Sequence, residues 1–125
     1  MSKVSLNVWG RVFDLPANLE CYKGESILEA QEEALKWFLN DAKALDVAKN
    51  EVEKYIVKGN KKDFPEGEVD NIFKYVKPKQ IYVTHDSKPV VALLCNYKFD
   101  NEHGLAVLFR NNKFLSVDNE CSALL

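Results

Sequence analysis

The chain has 125 residues, of which 46% are hydrophobic and 29% charged, a composition typical of one globular domain. Its net charge of −2 and its isoelectric point near 5.7 argue against a nucleic-acid partner, since such binders are usually strongly basic. No apolar run approaches the ~20 residues of a membrane helix, which argues against a membrane partner.

The cysteine pattern and the N-terminus bear on localisation. Cys21, Cys95 and Cys121 are odd in number and form no C-x-x-C pair, which argues against a disulfide framework and a thiolate zinc site. The first residues lack the apolar core of a signal peptide. We therefore expect a cytoplasmic protein, with residues 1–125 forming a single α+β domain that needs no cofactor or metal.

The first predicted elements are β-strands. Apolar and polar residues alternate over residues 4–14, and Trp9-Gly10 in their middle predicts a hairpin turn. Pro16 is expected to interrupt the second strand. Residues 19–22 are then predicted to form a further short strand.

Two amphipathic helices are predicted next. Ser26 and Glu29 stand at capping-box spacing, which predicts a helix N-terminus with Ser26 as its N-cap. Apolar side chains recur at helical spacing over residues 27–39 and again over residues 45–56. The second helix is expected to end at Gly59, where a polar loop begins.

The C-terminal third is predicted to be rich in β-structure. Strands are expected at residues 79–84, 90–99, 105–110 and 114–117, with a hairpin turn at Asn111-Asn112. Residues 90–95 are apolar at every position, which is typical of a strand at the centre of a sheet. The whole pattern predicts an α+β fold, with a mainly antiparallel sheet and two helices packed on one face.

The segment Asp100-Asn101-Glu102-His103-Gly104 is the best candidate for a functional turn. Asp100 is expected to accept a hydrogen bond from the backbone N–H two residues on, and Gly104 to supply a positive φ. Beside this structural interpretation, Asp100, Glu102 and His103 are the residue types of a carboxylate–histidine site. A hydrolytic zinc centre normally needs three protein ligands and an open fourth position, and the obvious extra ligand is His85, the only other histidine.

The placement of the two histidines argues against such a centre. His85 and His103 lie at opposite ends of the strand predicted over residues 90–99. A ten-residue strand separates its ends by roughly 30 Å, so we expect the two histidines to lie apart.

The distribution of charge indicates a possible binding surface. Between Asp14 and Leu35 there are six acidic residues and one basic residue. Four of these acids lie at or near the start of the first predicted helix: Glu25, Glu29, Glu32 and Glu33. They are the predicted contacts for a basic protein partner, although the same pattern is found on ordinary solvated helix faces.

Several segments together resemble a widespread family of small uncharacterised bacterial domains. These segments are Asn71–Pro78, Leu93–Tyr97 and Asp100–Ala106, and Tyr22–Glu25 fits as well. The last long segment reads Asp-x-Glu-His-Gly-Leu-Ala, where the family often has proline at x and this chain has Asn101. The family carries no established activity, but some of its members look like immunity proteins encoded beside bacterial toxins.

Two functional hypotheses follow from these observations. The first is a non-catalytic protein-binding domain without catalytic residues, most plausibly an immunity protein that neutralises a cognate, basic bacterial toxin. The alternative is a small metal-binding or hydrolytic domain that uses Asp100, Glu102 and His103.

Overall fold

The computed structural model describes residues 3–41, 43–111 and 113–119. Along the chain these residues form strands β1 (Lys3–Val8) and β2 (Arg11–Leu19), helices α1 (Glu29–Asn40) and α2 (Lys43–Gly59), and strands β3 (Val76–Val83), β4 (Val91–Tyr97), β5 (Leu105–Arg110) and β6 (Lys113–Asp118). The strands form one sheet in the order β1 to β6, antiparallel throughout except between β2 and β3. The predicted α+β fold with a mainly antiparallel sheet is confirmed.

The N-terminal hairpin turns where the sequence predicts. Trp9 and Gly10 both have positive φ, at 52° and 89°, as expected for the tight turn that suits the twist of two paired strands. The prediction that Pro16 interrupts β2 is wrong. Pro16 lies opposite Lys3 at the end of the ladder with β1, and pairing with β3 begins at Ala17. Since Pro16 stands where β2 changes partners, its missing N–H does not break either ladder.

The parallel pairing of β2 with β3 is the feature that the sequence pattern does not predict. Ala17 lies opposite Ile81 and Leu19 opposite Val83, and the connection between the two strands contains both helices. The separate strand expected at residues 19–22 is wrong, because Leu19 is the last residue of β2. The chain then continues as a loop into α1.

The start of α1 also differs from the prediction. The helix begins at Glu29, with Leu28 at the N-cap position, so Ser26 is not the cap. A leucine side chain cannot accept a hydrogen bond, and the helix start is instead fixed by Gln31, whose Oε1 accepts from the Leu28 N–H at 2.9 Å. Gln31 is fully buried, and its Nε2 donates to the carbonyl oxygens of Glu20 (2.9 Å) and Val83 (3.2 Å).

The hydrophobic core lies between the two helices and one face of the sheet. In α2 the buried side chains follow the predicted stripe, with Leu45, Ala48, Val52 and Ile56 all inside, and the helix ends at Gly59 as expected. The central strand β4 is buried on both faces at residues 91–95. A smaller apolar cluster, formed by Ala92, Leu94, Ala106 and Leu108, lies on the sheet face opposite the helices.

The remaining strand predictions are right in place and differ at their ends. β3 begins at Val76 rather than at residue 79, and β4 ends at Tyr97 rather than at residue 99. Asn111 has the positive φ expected of the last hairpin, whereas Asn112 and Cys121 lie outside the described residues. Neither described helix combines the length and the apolar character that a membrane span requires.

Candidate functional site

The segment after β4 forms the expected turn, with one correction. The Asp100 carboxylate accepts from the His103 N–H at 3.1 Å, which is three residues on and not two. The Gly104 N–H closes the turn on the Asp100 carbonyl at 2.9 Å, and Gly104 has the predicted positive φ, at 67°. Glu102 is exposed and takes no part in the hydrogen bonds recorded for the described chain.

The imidazole of His103 pairs with the same carboxylate. Its Nδ1 lies 3.0 Å from one Asp100 oxygen and 3.1 Å from the other. His85 follows β3 and lies beside the start of β4, so the two histidines flank opposite ends of that strand, as expected. Within residues 3–41, 43–111 and 113–119, no group of three histidine, cysteine or carboxylate side chains is arranged to hold a metal ion.

Asp100 borders an open cleft between the end of α2 and the ends of β4 and β6. The cleft has a volume of about 660 Å³ and is lined by Tyr55, Tyr97 and Phe99, with Asp118 on the β6 side. The hydroxyl of Tyr97 accepts from Asn60 Nδ2 at 3.0 Å. Burial raises the pKa of Tyr55, and the carboxylates of Asp118 and Asp100 raise it further. The cleft therefore combines aromatic side chains with two carboxylates, and Lys58 at its border adds one positive charge.

The four predicted contact acids, one in the loop before α1 and three in α1, lie near the start of β4, at the other end of that strand from the cleft. Glu25, Glu29, Glu32 and Glu33 are all exposed. A carboxylate oxygen of Glu25 lies 3.8 Å from His85 Nδ1. Glu29, Glu32 and Glu33 form no ion pair with any of the described residues.

Two apolar side chains are exposed beside these acids. Tyr22 is 62% exposed and Ile27 is 47% exposed, both in the loop that leads into α1. We call the six residues together the acidic surface: Tyr22, Glu25, Ile27, Glu29, Glu32 and Glu33. Protein interfaces usually combine a core enriched in aromatic residues with a polar rim, and Tyr22 beside exposed glutamates fits that arrangement.

The loop that carries half of the acidic surface is held by Glu20. The Glu20 carboxylate accepts hydrogen bonds from the Tyr82 hydroxyl and from the His85 N–H, the second at 3.3 Å. The bond from Tyr82 keeps the pKa of Glu20 below its usual value. Burial, together with this carboxylate, raises the pKa of Tyr82 to about 12. The nearby Glu20 charge also raises the pKa of Tyr22.

The His85 ring adds a second attachment for the same loop. Its Nε2 lies 3.0 Å from the Ser26 carbonyl oxygen, and because a carbonyl only accepts, Nε2 carries a hydrogen. Its Nδ1 faces Glu25, and its ring contacts the edge of Tyr22, with 6.5 Å between the ring centroids. Three residues around Glu20 thus attach the loop to the end of β3: Tyr22, Tyr82 and His85.

Sequence reasoning did not find this Glu20 cluster. Glu20 and His85 are 65 residues apart, and they meet because β2 and β3 pair in parallel. The one sequence feature that pointed to this region was the segment Tyr22–Glu25, which belongs to the family resemblance.

Comparison with known families covers nearly the whole chain. A family model described as a domain of unknown function, DUF6985, matches residues 2–123. The chain belongs to this family. No curated protein and no solved structure matches the chain. Because the DUF6985 range includes the acidic surface, the Glu20 cluster and the Asp100 turn, all three are parts of the family domain itself.

Proposed function

We propose that this DUF6985 domain is a non-catalytic protein-binding domain whose acidic surface docks a basic protein partner. The observation that supports the proposal is the exposure of Glu29, Glu32 and Glu33 without recorded ion pairs, next to exposed Tyr22. Complementary charges of this kind steer a partner towards the surface, and an aromatic side chain among them supplies contact area.

The attachment of the loop supports the same proposal. A flexible binding loop loses conformational entropy when a partner orders it, which weakens association. Here Glu20 and His85 connect the loop to β3, and Gln31 connects the start of α1 to both the loop and the sheet. Tyr22, Glu25 and Ile27 are therefore presented in a fixed arrangement before any partner arrives.

The partner that we propose is a cognate bacterial toxin, which makes the chain an immunity protein. The family resemblance, the small size and the net charge of −2 favour this class. An immunity protein needs a complementary surface that binds tightly, and it needs no catalytic group of its own.

The test uses the product of the gene that lies next to the gene for this chain. That product is expressed in bacteria alone, with this chain, or with the Glu29→Lys/Glu33→Lys variant. We expect the neighbouring product to stop growth. The unmodified chain should restore growth and form a complex in native mass spectrometry, whereas the variant should protect less and form less of the complex. Restored growth without a complex, or equal protection by the variant, would reject the acidic surface as the binding site.

The Asp100–His103 pair favours a second candidate, a small hydrolytic or metal-binding domain. A carboxylate that holds Nδ1 of an imidazole orients the ring and supports Nε2 as a general base. Protein purified without added metal is analysed for zinc, manganese and iron. Stoichiometric metal that is lost in His103→Ala would favour this second candidate over the immunity protein. A protein that contains no metal and still protects growth would reject the metal-binding form of the second candidate.

A further inference from the structure

We infer that the cleft beside Asp100 binds an organic cation, namely a guanidinium or alkylammonium group. The cleft lies at the opposite end of β4 from the acidic surface, so this site is separate from the proposed docking surface. Cation binding at the cleft can therefore be measured in the absence of a protein partner.

Three aromatic side chains line the cleft, and Tyr97 is the most buried of them, at 5% exposed. The ring centroids of Tyr55 and Tyr97 are 6.1 Å apart, and Phe99 meets Tyr97 edge to face at 5.7 Å. A cation within about 6 Å of such a ring is attracted by the negative charge on its face. Tyr97 is held in place by the hydrogen bond from Asn60. The half-buried rings of Tyr55 and Phe99 are therefore the ones that a cation would approach, beside a fixed Tyr97.

Two carboxylates supply the charge that selects a cation over a neutral ligand. Asp100 and Asp118 both line the cleft, and both raise the pKa of the Tyr55 hydroxyl, so their fields converge at that point. Asp100 also accepts from His103, whereas the one recorded hydrogen bond of the Asp118 side chain is from the neighbouring Asn119 N–H. Asp118 is therefore the carboxylate more available to a ligand.

Lys58 restricts where the cation can lie. It is exposed and borders the same cleft, so its ammonium group repels a cation at that side. A bound guanidinium group is thus directed towards Asp118 and the tyrosine rings. Replacing the lysine by glutamine removes this repulsion, so we expect Lys58→Gln to bind a cation more tightly than the unmodified chain.

The test is an NMR titration with N-acetyl-arginine amide as the probe. N-acetyl-citrulline amide is the matched control, because its side chain has the same shape without the charge. We expect saturating shifts at the Gly59 and Asn60 amides with the arginine probe alone. Equal shifts with both probes, or no saturation with either, would overturn the inference.

Two aspartate variants locate the site. Asp118→Asn removes one charge from the cleft and keeps an oxygen for the Asn119 N–H, and we expect it to weaken binding about 2- to 5-fold, the usual effect of one exposed ion pair. Asp14→Asn removes the same charge from β2, where Asp14 accepts from Ser5, and binding should be unchanged. Equal affinities of the two variants would show that the cation binds elsewhere.

Discussion

Asp100 illustrates how one side chain fixes a connection between strands. Its carboxylate and its carbonyl together accept hydrogen bonds from His103 and Gly104, which closes the turn between β4 and β5. Gly104 then adopts a φ of 67°, in the region that glycine enters without steric strain. The roles of Asp100 and Gly104 in this segment thus have a structural explanation that does not require chemistry.

The first prediction concerns this turn. Asp100→Ala should lower the free energy of unfolding by about 1 kcal/mol, the usual loss for removing a partly exposed hydrogen-bonding side chain. Asn101→Ala changes an exposed residue of the same turn and should leave the urea midpoint unchanged. If Asp100→Ala is fully stable but loses growth protection, the turn is a functional element and the structural interpretation is wrong.

Glu20 and Tyr82 make stability depend on pH at both extremes. The folded-state pKa of Glu20 is below its ordinary value of 4.5, so its contribution is present above pH 4.5 and is lost as the pH falls through the folded-state pKa. The folded-state pKa of Tyr82 is about 12, above the ordinary value of 10.0. Its contribution is therefore complete below pH 10 and is lost as the pH rises towards 12.

The second prediction tests the alkaline side. Tyr82→Phe should reduce the fall in the free energy of unfolding between pH 10 and pH 12, because one proton with a raised pKa is gone. The fall should not vanish, since the pKa values of the other four tyrosines are also raised: Tyr22, Tyr55, Tyr75 and Tyr97. Urea denaturation at a series of pH values measures this slope, and identical slopes for both proteins would refute the Glu20–Tyr82 interaction.

At the scale of elements, α1 depends on Gln31 rather than on a conventional cap. Its side-chain oxygen accepts the Leu28 N–H, and its amide group donates to the carbonyls of Glu20 and Val83. One buried residue therefore joins the helix start, the loop before it and the end of β3.

The third prediction compares Gln31 with Ser26. Gln31→Leu keeps the side-chain volume but leaves the Leu28 N–H and the Glu20 carbonyl without their partner, so we expect a loss of about 2–3 kcal/mol in the free energy of unfolding. The Val83 carbonyl still accepts from the Glu20 N–H. Ser26→Ala should change stability by less than about 0.5 kcal/mol, because Ser26 does not cap the helix. A larger effect of Ser26→Ala than of Gln31→Leu in urea denaturation would contradict this comparison.

The elements that the sequence predicts correctly are those specified by neighbouring residues. The stripe of α2, the Trp9-Gly10 turn and the strand Leu105–Arg110 follow directly from local patterns. The parallel pairing of β2 with β3 depends on residues more than 60 positions apart, and no local pattern encodes it. For the same reason the Asp100 turn could be found from the sequence, whereas the cluster around Glu20 and the cleft beside Tyr55 could not.

At the scale of the whole molecule, the sheet separates two candidate sites. The acidic surface and the Glu20 cluster lie beside the start of β4, and the Asp100 turn and its cleft lie beyond its end. A change at one end should therefore leave the other unaffected, since mutations at distant sites without shared partners are usually additive. Binding of a protein and binding of a small cation can thus be measured separately.

Two charge-reversal variants distinguish the effect of the acidic surface on partner binding from the effect of the net charge. Glu29→Lys/Glu33→Lys reverses two charges on the acidic surface, and Glu66→Lys/Glu68→Lys reverses two exposed charges in the loop after α2. Both variants change the net charge equally. The loop variant should alter stability by less than about 0.5 kcal/mol, and the acidic-surface variant should lose up to about 1 kcal/mol, because the helix dipole favours the negative charge of Glu29 in the first turn of α1. A larger loss of stability in either variant would show that its glutamates have a structural role.

The decisive measurement is the association rate of each variant with the neighbouring gene product over a series of salt concentrations. The acidic-surface variant should associate more slowly at low salt and depend less on salt, because electrostatic steering acts through the docking surface, while the loop variant should follow the unmodified chain closely. Equal slowing by both variants would show that net charge alone attracts the partner. Unchanged rates in the acidic-surface variant would place the binding site elsewhere on the molecule.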